Sequence, residues 1–76
     1  MPTDVERYRD NFIDEINSAY LYRIAAEVEE DDRLSAVYAR LAESEERHAA
    51  LWEGKLTDAG APVPDHQPEL RSRILA

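Results

Sequence analysis

"AESEERHAALW", residues 42–52, is the stretch on which the fold turns. It lies inside a helical pattern whose apolar positions are Leu34, Tyr38, Leu41, Trp52 and Leu56, and it puts Glu45 and His48 where that stripe calls for leucines. Steps of alternating threes and fours from Leu34 pass through Tyr38, Leu41, Glu45, His48 and Trp52. The same walk upstream, from Val5, passes through Tyr8, Phe12, Glu15, Ala19, Tyr22 and Ala26. Each seam is apolar except at its centre. Ionised carboxylates buried without partners cost several kcal/mol even after relaxation, so polar groups at these positions must have a partner.

The boundaries of the two helices are written locally. Thr3 with Glu6 is a capping-box signature opening a helix over about residues 4–29. The run Glu29-Glu30-Asp31-Asp32 breaks the apolar periodicity, and its aspartates are suited to cap a second helix that Gly60 stops. Residues 1–60 therefore predict an antiparallel two-helix hairpin. In "APVPDHQP" three prolines fall close together, which predicts an extended linker, and "ELRSRILA" predicts a short tail helix, so residues 61–76 form a Pro-rich linker and tail. Ile13, Tyr20, Ile24 and Val28 give helix 1 a second apolar edge, which a lone hairpin has no helix to cover. Self-association into a four-helix bundle is the expectation.

Composition narrows the chemistry. The 76 residues carry 17 Asp and Glu against 9 Lys and Arg, a net charge of −8, which argues against nucleic acid or an anionic membrane as a partner and favours cations. There is no cysteine, so any metal must be held by oxygen and imidazole. No apolar run reaches the length of a membrane span and the first residues do not form a signal sequence, so a cytoplasmic protein is expected.

Register brings the polar residues together. Glu15 lies 15.5 residues before the middle of the turn and the midpoint of Glu45 and His48 lies 16 after it, which places both roughly 23 Å from the turn on facing helices. Residues three apart share a helix face, so Glu45 and His48 can point at one metal. One hairpin offers two carboxylates and one imidazole; two copies related by a twofold axis offer four and two. Carboxylate oxygen with imidazole suits Fe(II), Mn(II) or Zn(II).

With Glu15 followed seven residues on by Tyr22, Glu45 with His48, and a tight connection between, residues 14–56 ("DEINSAYLYRIAAEVEEDDRLSAVYARLAESEERHAALWEGKL") resemble the ferritin-like, rubrerythrin-type di-iron proteins. The resemblance implies that Glu15 is a terminal ligand of one iron, Glu45 a carboxylate bridging two irons and His48 a terminal nitrogen ligand. It further implies that Tyr22 hydrogen-bonds to the ligands. Tyr38, seven residues before Glu45, is a second candidate for that role.

Typical members carry two such halves in tandem and this chain carries one. In this it resembles the half-bundle encapsulated ferritins, whose site forms between chains, and the amino-terminal ferritin-like domains of vacuolar-iron-transporter relatives. The implied activity is oxidation of Fe(II) to Fe(III) by O₂ or peroxide in a homo-oligomer, for iron storage or detoxification. The implied partners are an encapsulating shell or a fused membrane iron transporter, and the implied place is inside a protein compartment or tethered at the cytoplasmic face of a membrane. Two rivals stand beside it: a non-catalytic helical oligomerisation or adaptor module whose polar residues only set register, and a di-iron peroxidase using the same ligands.

Overall fold

The structure is a computed structural model that describes residues 3–65. Two helices, α1 (Asp4–Val28) and α2 (Asp32–Asp58), form an antiparallel hairpin. Among the described residues there is no strand, and no helix is long and apolar enough to cross a membrane.

Local chemistry sets each helix end. Thr3, in extended backbone, accepts from the Glu6 N–H at 3.1 Å and opens α1. Glu29 leaves the helical conformation but still donates its N–H to the Ala25 carbonyl, and its side chain accepts from the Asp31 N–H. Asp31 then caps α2, its Oδ1 accepting from the N–H groups of Arg33 and Leu34 at 2.9 and 3.1 Å. The turn therefore needs only three residues, and the Ser35 hydroxyl ties it down by donating to the Ala26 carbonyl at 2.6 Å.

At the far end Gly60 takes a φ of 71°, its N–H donates to the Thr57 carbonyl, and the Ala61 N–H donates to the Leu56 carbonyl. This is a Schellman motif, and its usual apolar contact is present: Ala61 packs on the cluster that contains Leu56. Val63 packs on the same cluster, so the first part of the proline-rich segment is non-helical but folds back on the hairpin rather than leaving it. The tail helix expected over residues 69–76 lies outside the described residues, as does His66 in the same segment.

The buried core is narrow. It consists of Phe12 and Ala19 from α1 and Ala42, Ala49 and Leu56 from α2, each set spaced by seven. On α2 this seam is displaced by one residue, about 100° around the helix, from the Leu34–Leu41–His48 line that the sequence pattern favours. The physical reason is the size of the alanines: they let the two backbones approach, and the closest approach defines the seam, while the larger leucines flank it. Leu34 is 48% and Leu41 38% exposed. Val37 and Leu51 are also exposed, one on each side of His48 along the helix.

Candidate metal centre

Glu15 occupies the middle of α1, four residues before the buried Ala19. Glu45 lies on α2 between the buried Ala42 and Ala49. Small side chains above and below the carboxylates hold the helices close enough for the two acids to meet, which a seam of leucines would prevent. The structure brings Glu15, Glu45 and His48 together, with one ligand atom from each inside a 4.8 Å span. His48 Nδ1 stands 3.5 Å from Glu15 Oε2 and 3.7 Å from Glu45 Oε1. The two carboxylate side chains are each 23% exposed and the imidazole 49%, so the cluster has a sheltered side made by acids and an open side at His48.

Its electrostatics are unsatisfied. Glu15 Oε2 is buried and has no hydrogen-bond partner among the described residues. Two carboxylates this close repel by roughly 3 kcal/mol at an effective dielectric of about 20. The Glu15 carboxyl accordingly holds its proton above the ordinary value of 4.5. The hydrogen bond it shares with Glu45 is the largest cause, burial the next and the Glu45 charge the third, with His48 pulling the other way. Among the described residues no arginine relieves the pair: Arg23, the obvious candidate, crosses instead to Glu46 at 2.6 Å. The donor set is one that could hold a divalent cation: two carboxylates would neutralise its charge and the imidazole would add a borderline-soft nitrogen.

Tyr22 and Tyr38 are half-buried, and neither hydroxyl makes a hydrogen bond to a described residue. Trp52, one turn beyond His48, packs against the core and stacks on Tyr8 with ring centroids 5.9 Å apart, while Lys55 stands over both rings. Tyr8 and Trp52 are seam positions at nearly equal distances from the turn, but the Arg23–Glu46 bridge has no simple signal in the sequence. Arg23 and Glu46 lie at different distances from the turn, and only the reach of a long guanidinium closes the gap.

The cluster opens on the same face as the exposed leucines. Leu34, Leu41 and His48 follow one another at intervals of seven, so His48 interrupts an apolar stripe that the hairpin leaves uncovered. Compared with family models, curated proteins and solved structures, the chain matches none, and what the centre does follows from its own ligands and their surroundings.

Proposed function

We propose that two copies of this hairpin pair through the face carrying Glu15, Glu45 and His48, and that the four carboxylates and two imidazoles so assembled bind two Fe(II) ions as substrate and oxidise them. The observation that carries this is the convergence of the three ligand atoms, one of them a buried and unpartnered carboxylate oxygen, on an uncovered apolar stripe. A cluster of this kind would be a liability in an adaptor, which has no use for repelling acids at its closest helix contact.

In the pair, Glu15 and His48 act as terminal ligands and Glu45 as the bridging carboxylate, the assignment implied by the resemblance to ferritin-like di-iron proteins. Each Fe(II) gives up one electron, so two ions reduce one O₂, with two protons, to hydrogen peroxide. Four carboxylates against two divalent ions keep the site neutral before oxidation, and the acidic surface of the chain draws cations toward it. Mn(II) and Zn(II) fit the same donors and serve as substitutes that do not turn over. A hairpin of this size encloses no store for the Fe(III) produced, so the function includes a partner that receives it, an enclosing shell or a membrane transporter.

Anaerobic titration of the protein with Fe(II), followed by air, tests the proposal. Saturation near one iron per chain, even-numbered oligomers and rapid loss of Fe(II) are expected. If iron fails to bind stoichiometrically, or if Glu45→Leu with His48→Leu leaves binding unchanged, the ferroxidase is wrong and an acidic oligomerisation module is left.

A further inference from the structure

We draw no further inference here: the strongest candidate, the open apolar pocket between α1 and α2 lined by Ile16, Ala19, Tyr20, Arg23 and Glu46, is an unpartnered surface, and nothing in the structure shows what covers it.

Discussion

His48 Nδ1 stands 3.5 Å from Glu15 Oε2, a buried carboxylate oxygen that has no hydrogen-bond partner among the described residues. The two residues lie on different helices and more than thirty positions apart, and with Glu45 they form the cluster to which the proposed function assigns an ion.

Removing either group should abolish tight metal binding without unfolding the chain. Glu15→Gln keeps the shape and removes the charge, and it is expected to weaken Co(II) or Fe(II) binding about 100-fold. Metal-free stability should hold or rise, because the repulsion with Glu45 goes. Calorimetric titration and thermal melts read the two effects separately, and a variant that binds as well as the wild type would remove Glu15 from the site.

Acidity should act oppositely on the empty and loaded protein. The folded chain holds the Glu15 proton more tightly than the unfolded chain does, so this group contributes stability below 4.5 that is lost as pH rises through its raised folded value. The metal-free hairpin should therefore melt higher as pH falls from neutral toward 4.5, and Glu15→Gln should flatten that part of the slope. Metal binding should weaken over the same window, because protons compete for the ligand. Melting curves across that range, with and without Co(II), show both signs; a metal-free midpoint that drops on mild acidification in the wild type and in Glu15→Gln alike would contradict this.

Ala49 is the residue on which helix spacing depends. It is 3% exposed in the seam beside Glu45, and Ala49→Leu should cost about 1–3 kcal/mol through overpacking. It should also cost metal affinity, because the helices must separate to admit it. A denaturant midpoint together with a metal titration tests the pair of effects. Loss of stability with intact affinity would mean that the carboxylates do not depend on the alanine seam.

Gly60 provides a control far from the centre. Its φ of 71° lies in the left-handed region, but a Cβ there would meet no atom within 4 Å. Gly60→Ala should therefore cost only backbone strain, about 1 kcal/mol, and leave metal binding untouched.

Much of this molecule is legible without coordinates. Thr3, Asp31 and Gly60 announce the helix ends because caps are local chemistry, and counting residues from the turn is enough to bring Glu15 level with Glu45 and His48. The seam on α2 is harder to place, since hydrophobic pattern marks what wants cover and not which neighbour supplies it. Leu34 and Leu41 want cover, yet Ala42 and Ala49 receive it within the hairpin. The return of Ala61 and Val63 onto Leu56 was also hidden, because three prolines signal only the absence of helix. Arg23 with Glu46 depends on side-chain reach, which no period encodes.

A seam built of alanines has a mechanical consequence. Alanine ridges are shallow, so along Ala19, Ala42 and Ala49 little in the buried contact stops one helix from sliding along the other, and only the Phe12–Leu56 end is keyed by large side chains. The Ser35–Ala26 bond at one end and the oblique Arg23–Glu46 bridge resist such shear. A slip of one residue, about 1.5 Å, would carry Glu45 out of step with Glu15. Under the proposed function, affinity for a cation would act as a gauge of axial alignment, and anything that strains the hairpin lengthwise would be felt first as a loosened ion.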